Sequence, residues 1–284
     1  MKLGVAGMLP QWRQIDRAAA ERVRAAGFRG ASVVIDRPLE ADAASVLAVK
    51  RAFDEAGLEV AQANGWYECL VNPDDTLRAD GVRGLQALCR WGRLLDAGTV
   101  YVRPGGLNPK GHWLAHPDNH TPETFERLID SLGQVCAVAQ DEGATLAIEG
   151  HVLSPLDAAQ RVVELLDAVA SPALKFNVDP VNFIGTVRDV HDTRRVLNEL
   201  YDLLGVETVA AHAKDCRLGD ALVVHIEEVV PGDGTLDMGL FLRRFAACCP
   251  GGYVLIEHLP DEKVPAARKA VCRAAEQAGL AWET

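Results

Sequence analysis

One unit recurs along the whole chain: a helical run, a glycine able to close it in a left-handed conformation, then a short apolar stretch rich in β-branched residues. It reads AAGFRGASVVI around Gly27, EAGLEVAQAN around Gly57, DAGTVYVRP around Gly98, DEGATLAIEG around Gly143 and LLGVETVAAH around Gly205. Two more apolar stretches, ALKFNVDP and GGYVLIEHL, follow SP and PGG breaks, and LGVAGM opens the chain, so eight strands are expected. Between them lie residues at helical spacing, such as Val46, Val49 and Phe53, or Phe125, Leu128, Ile129, Leu132 and Val135. Thr121 before Pro122, and Ser154 before Pro155 with Asp157 in the first turn, read as helix starts.

Strands that alternate with helices imply a parallel sheet, because a parallel neighbour is reached only by a crossover. Eight such units in 284 residues predict an α/β fold, a single (β/α)8 TIM barrel. A doubly wound open sheet fits less well, since no GxGxxG follows an early strand. No Ser-rich or Pro-rich linker divides the chain, so residues 1–284 are read as one domain. Two connections exceed what a barrel needs, 104–120 and 216–237; both follow strands, which makes them candidate lids on the active face.

Composition narrows the class. At 49% hydrophobic and 24% charged the chain is of soluble globular type, and no apolar run approaches membrane-spanning length. With LGVAGM beginning at Leu3 there is no basic n-region followed by an h-region, so a cytoplasmic location is expected. Seven cysteines without CxxC spacing read as reduced thiols. A net charge of −11 disfavours nucleic acid as a partner.

Four consecutive strand candidates end in metal-binding side chains: LAIEGH at Glu149, KFNVDP at Asp179, VAAHAKD at His212 and YVLIEHL at Glu257. Singly, each has an ordinary explanation as a helix cap or a hydrogen-bonded core residue. Together they do not, because charged groups rarely sit in apolar strands without a partner, and the C-terminal strand ends of a barrel converge. Three carboxylates and one imidazole suit a single divalent ion, Mn²⁺ first, with Mg²⁺, Co²⁺, Fe²⁺ or Zn²⁺ as alternatives.

The sequences EGH, DP-x-N, H-x-KD and IEH at these four positions resemble the sugar phosphate isomerase/epimerase family. That family belongs to the xylose-isomerase-like barrels, which also include the type IV apurinic endonucleases. The resemblance implies that Glu149, Asp179, His212 and Glu257 bind the metal. It further implies that Glu149 and Glu257 are the acid/base pair, exchanging a proton with a metal-stabilised enediolate of a small sugar, sugar phosphate or keto-polyol. It also implies a homo-oligomer, a dimer or tetramer. The endonuclease branch needs additional metals held by histidines on earlier strands, and ASVVI, EVAQANGW and TVYVRPGG contain none.

Further candidates surround this set. His151 stands two residues beyond Glu149, to contact a substrate hydroxyl or to support the ligand. Lys214 and Asp215 are expected at the rim, where Lys214 would bind an oxyanion, and Arg217 resembles, with an offset, a substrate-binding arginine of ketose epimerases. Trp12, Trp66 and Trp113 offer an apolar wall for a sugar ring, while His225 and PGDG at 231–234 read as a turn without a chemical role. Ketose 3-epimerases carry a histidine three residues after the strand-six aspartate, where this chain has Asn182. An amide hydrogen-bonds a hydroxyl but does not share a proton at neutral pH. Two other readings remain open: a dehydratase or lyase that uses the same enediolate for β-elimination, and a non-catalytic sugar-binding subunit.

Overall fold

The computed structural model describes residues 1–283. Its strands are β1 (Lys2–Val5), β2 (Gly30–Ile35), β3 (Glu59–Gly65), β4 (Thr99–Val102), β5 (Leu146–Ile148), β6 (Leu174–Val178), β7 (Thr208–Ala213), β8 (Asp215–Leu218), β9 (Ile226–Val229) and β10 (Tyr253–Ile256). Its helices are α1 (Arg17–Ala25), α2 (Ala43–Ala56), α3 (Asp75–Leu95), α4 (Pro122–Glu142), α5 (Ala159–Val169), α6 (Val187–His191), α7 (Thr193–Leu204), α8 (Met238–Cys248) and α9 (Val264–Gln277). Eight parallel strands close into a barrel in the order β1-β10-β7-β6-β5-β4-β3-β2, with helices around it, a (β/α)8 TIM barrel. All eight strands expected from the sequence are the barrel strands.

Caps explain most of the helix boundaries. Gly57 and Gly143 close α2 and α4 at φ 63° and 67°, and Thr121 Oγ1 accepts from Thr124 N to open α4. Three expectations fail locally. At α3 the left-handed residue is Asp96, not Gly98; Gly98 is needed instead for close approach, since a Cβ there would lie 2.9 Å from Ala61 O. Gly205 stays right-handed and leads from α7 into a short 3-10 turn. Ser154 does not open a helix: its Oγ accepts from Leu156 N in a local turn that seats the buried Leu156, and α5 begins only at Ala159.

Strand alternation divides the side chains into two layers. Val254 and Ile256 of β10 join the core between sheet and helices, together with Phe28, Phe53, Phe176, Phe241 and Phe245. Tyr253 and Leu255 point the other way, into the barrel, and fill its lower half. They fit because β1 and β2 offer glycines there: a Cβ on Gly4 would lie 2.5 Å from Leu255 Cδ2, and one on Gly30 would lie 2.7 Å from Tyr253 Cε1. The Tyr253 hydroxyl donates to Glu59, which also accepts from Lys2 Nζ and Arg29 Nε at 2.7 Å each. These charged partners hold the Glu59 carboxyl at a pKa of about 2 against the opposing effect of burial, and they seal this end of the barrel. A cavity of about 500 Å³ opens beneath Tyr253, at the end opposite the strand C-termini.

The two long connections differ. Residues 104–120 are mostly irregular and end in a 3-10 turn at Pro117–His120. Buried Asn119 fastens them, accepting from Leu107 N at 2.8 Å and donating to Leu153 O at 2.7 Å. Residues 216–237, expected as a loop, contain most of an antiparallel hairpin of β8 and β9. Its base is organised by Asp215, expected at the rim but in fact buried. The carboxylate accepts from the backbone N–H groups of Cys216, Gly232, Gly234 and Leu236 at 2.9–3.1 Å, which shapes the PGDG turn. Asp215→Ala removes the acceptor of four backbone N–H groups, of which those of Cys216 and Leu236 are buried, and is expected to cost about 3 kcal/mol of unfolding free energy in urea titration; a loss below about 1 kcal/mol would show that the turn holds without it.

Candidate metal centre

The four strand-end residues meet. Glu149 and Asp179 directly follow β5 and β6, His212 lies in β7, and Glu257 directly follows β10. These strands are contiguous neighbours in the barrel, so the residues form an arc with Glu149 and Glu257 at its ends. One donor atom from each residue lies within 4.8 Å of the other three. All are buried or nearly so, with Glu257 the most open at 9% exposure.

Two cations share this space. Nδ1 of His212 is 2.9 Å from Glu149 Oε1 and 3.1 Å from Glu257 Oε1, while Lys214 Nζ is 2.7 Å from both Asp179 Oδ2 and Glu257 Oε1. Lys214 is therefore not a rim residue. It lies two positions after His212 on the inward face and is 3% exposed, with Asn182 Oδ1 at 3.5 Å.

These are ion-pair distances without good hydrogen-bond alignment, since His212 Nδ1 and Asp179 Oδ2 remain buried atoms lacking a hydrogen-bond partner. A divalent cation fits such a donor set: three oxygens and one nitrogen directed at one point, two of them unsatisfied.

A second layer, not named from the sequence, fixes the orientation of the first. His212 Nε2 faces Gln62 Oε1 at 3.3 Å, which directs Nδ1 at the carboxylates. Gln62 Nε2 donates to Asn177 Oδ1 at 3.3 Å, and Asn177 Nδ2 donates to Glu149 Oε1 at 3.0 Å. The Tyr101 hydroxyl donates to Glu149 Oε2, so both oxygens of Glu149 are held. The signal was present in the strands: Asn177 precedes Asp179 by two in KFNVDP, and Gln62 interrupts the apolar EVAQAN.

Burial, the largest effect at each group, opposes charge here, and the mutual attraction of the charges decides the outcome. It would raise Glu149 and Glu257, but His212 and Lys214 bring both below the usual carboxylate range, Glu257 further. Burial prevails at Asp179, which rises to about 6 despite Lys214. It would lower His212, yet Glu257 and Glu149 raise that imidazole to about 10.

The remaining candidates are distributed unevenly. His151 lies in the loop after β5, its ring 5.8 Å from that of Trp113, and its Nδ1 accepts from Leu153 N. Burial lowers its pKa, which favours the neutral imidazole. This pair joins the 104–120 segment to the β5 end of the site.

Arg217 is not brought to the cluster: it lies exposed on the hairpin, 3.5 Å from Glu227 across the two strands. His225 is exposed at the hairpin tip. Trp12 is buried, donating to Asp36 Oδ1 at 2.8 Å, and Trp66 is exposed. His258, in a left-handed conformation at φ 58°, connects the hairpin to the site, with Nδ1 3.2 Å from Glu228 and Nε2 3.7 Å from Glu257.

Residues 20–275 match the model of the xylose isomerase-like TIM barrel family, and the chain belongs to that family. Solved structures share the fold at low identity. A 3-keto-D-glucoside 4-epimerase from E. coli superposes with a TM-score of 0.70 at 18% identity, over 97% of this chain and 99% of that one. A D-psicose 3-epimerase in the presence of D-fructose gives 0.74 at 16%, over 98% and 100%. A xylose isomerase-like TIM barrel protein from Mycobacterium smegmatis in complex with magnesium gives 0.74 at 12%, over 98% and 96%. No curated protein matches in sequence. Among the described residues no helix is long and apolar enough to cross a membrane.

The His212 shift carries a sign. Its folded pKa of about 10 exceeds the ordinary 6.5. Without a cation, then, the imidazolium stabilises the fold fully below pH 6.5 and progressively less as pH rises through about 10. A bound ion competes with that proton. Titrating EDTA-treated protein with Mn²⁺ near pH 7 is expected to release about one proton per ion, with affinity rising between about pH 6 and about pH 9. Binding without proton release, at pH-independent affinity, would show that the ion displaces no proton from His212.

Proposed function

We propose that the protein is a divalent-metal-dependent isomerase or epimerase of a sugar, sugar phosphate or keto-polyol, with Glu149 and Glu257 as its proton carriers. The observation that carries this reading is the arc itself: four donor atoms from four adjacent strands within 4.8 Å, with a glutamate at either end. Carboxylates so placed reach a substrate carbon from two sides. The epimerase activities in the names of the structural neighbours agree with it.

Glu149, Asp179, His212 and Glu257 would hold the ion, which supplies positive charge where an oxygen next to the reacting carbon becomes negative. The two glutamates then differ in what they can do. Both oxygens of Glu149 are engaged, by Asn177 and Tyr101, whereas the close contacts of Glu257 with Lys214, His212 and His258 all run through Oε1. Glu257 is thus the freer base for the first proton; Glu149, ionised at rest, takes up a proton from water and then delivers it from the other side, so that each turnover moves one proton off to Glu257 and one on from Glu149.

Lys214 keeps Glu257 ionised and donates to the substrate oxygen on which charge develops. Asn182 hydrogen-bonds a hydroxyl without exchanging a proton, which sets the site apart from that of ordinary ketose 3-epimerases. His151 and Trp113 form an edge of the sugar site.

EDTA is expected to abolish turnover and Mn²⁺ or Co²⁺ to restore it; full activity in metal-free protein would overturn the proposal. Glu257→Gln should lower kcat by about 10²-fold or more with metal still bound. In ²H₂O the product should gain deuterium next to the carbonyl without losing mass, whereas release of water or an aglycone would mark β-elimination instead.

A further inference from the structure

The half of the barrel facing the arc presents a cation with no acidic partner. Arg103 directly follows β4 and shares the inward face of Tyr101, the residue that holds Glu149. It is 8% exposed. Its guanidinium lies over the rings of Tyr67 and Trp66, 4.6 and 5.2 Å from their centres, and Nη2 donates to Tyr67 O at 3.1 Å. Nε is buried without a hydrogen-bond partner, and no carboxylate among the described residues forms an ion pair with this side chain.

A desolvated guanidinium with an unused donor is costly unless something completes it, and its planar fork matches a carboxylate or a phosphate. Aromatic stacking offsets part of the charge while fixing the plane of the fork. The surroundings make the contrast sharper. The chain carries a net charge of −11, and the other buried cation near the site, Lys214, already has two carboxylates at 2.7 Å. Trp66, whose ring the guanidinium overlies, is itself 61% exposed and offers apolar surface to the body of a sugar.

We propose that Arg103 is the subsite for an acidic group on the substrate, a carboxylate or a phosphate, so that the site takes a keto sugar acid or a sugar phosphate in preference to a neutral sugar. What reacts at the arc rests on the function proposed above; the anion site rests on the surroundings of Arg103 alone.

Binding to EDTA-treated protein separates the two. Calorimetric titration at low salt with D-fructose, D-fructuronate, D-fructose 6-phosphate and inorganic phosphate is expected to give at least about tenfold tighter binding of an acidic sugar than of D-fructose. Whichever of the two acidic sugars binds more tightly identifies the group as carboxylate or phosphate. The preference should disappear in Arg103→Gln and persist in part in Arg103→Lys, which restores the charge without the fork.

Equal or absent binding of acidic and neutral sugars by the wild type overturns the proposal, as does an unchanged preference in a folded Arg103→Gln. The wild-type comparison stands even where the variant does not fold. An acid preference in a protein that turns over nothing would remove the proposed isomerase and leave the anion site in place.

Discussion

Everything at the mouth of the barrel depends on holding three carboxylates together out of water. Mutual repulsion and lost hydration both work against such a cluster, and a protein sustains it only by bringing countercharge to within contact distance. Here His212 in β7 and Lys214 just beyond its end provide it. The polar layer beneath serves the same end: Gln62 and Asn177 stand where a barrel ordinarily carries aliphatic side chains, and through them the orientation of His212 is tied to that of Glu149. Lower still, Tyr253 and Leu255 return the interior to close packing. The barrel thus changes from apolar to ionic along its axis within the length of one strand.

The barrel is unequal around its circumference as well. The second half contributes the acidic arc, the buried lysine and Asn182, while the first half contributes aromatic rings and an arginine. A bound molecule spanning the two would meet acid/base groups at one side and a cationic, aromatic surface at the other. The 104–120 segment lies between these halves, fastened by Asn119 and joined to the β5 loop through Trp113 and His151.

The fold was legible because the repeated unit records both of its periodicities, and the ligands were legible because each interrupts an apolar run at the same place in the unit. What escaped reading depends on contacts between distant segments. Nothing local distinguishes Asp96 from Gly98 as the left-handed residue, since the glycine was required by Ala61 on a neighbouring strand. Asp215 reads as a rim charge in the sequence because its four donors lie in the backbone, where no residue type signals them. Lys214 lies just past the end of β7, where the sequence alone predicts an exposed rim; its pairing with Asp179 and Glu257, from other strands, is what draws it inward. Arg217 rests on analogy of position, and the hairpin that carries it outward is built from strands of only four residues, DCRL and IEEV, half of them charged, which is too short and too polar to read as two strands.

The way Asp215 anchors the hairpin has a consequence for how this protein can vary. The buried carboxylate fixes the two ends of the excursion to one point, and Glu228 near its base meets His258, so the part adjoining the site is set independently of the part that projects. The tip, with Leu222, Val223 and Val224 exposed, makes no contribution to that anchoring. Changes in its length or composition are insulated from the barrel, which makes this tip the place where related chains can diverge in what they present at the mouth while leaving the ionic centre undisturbed.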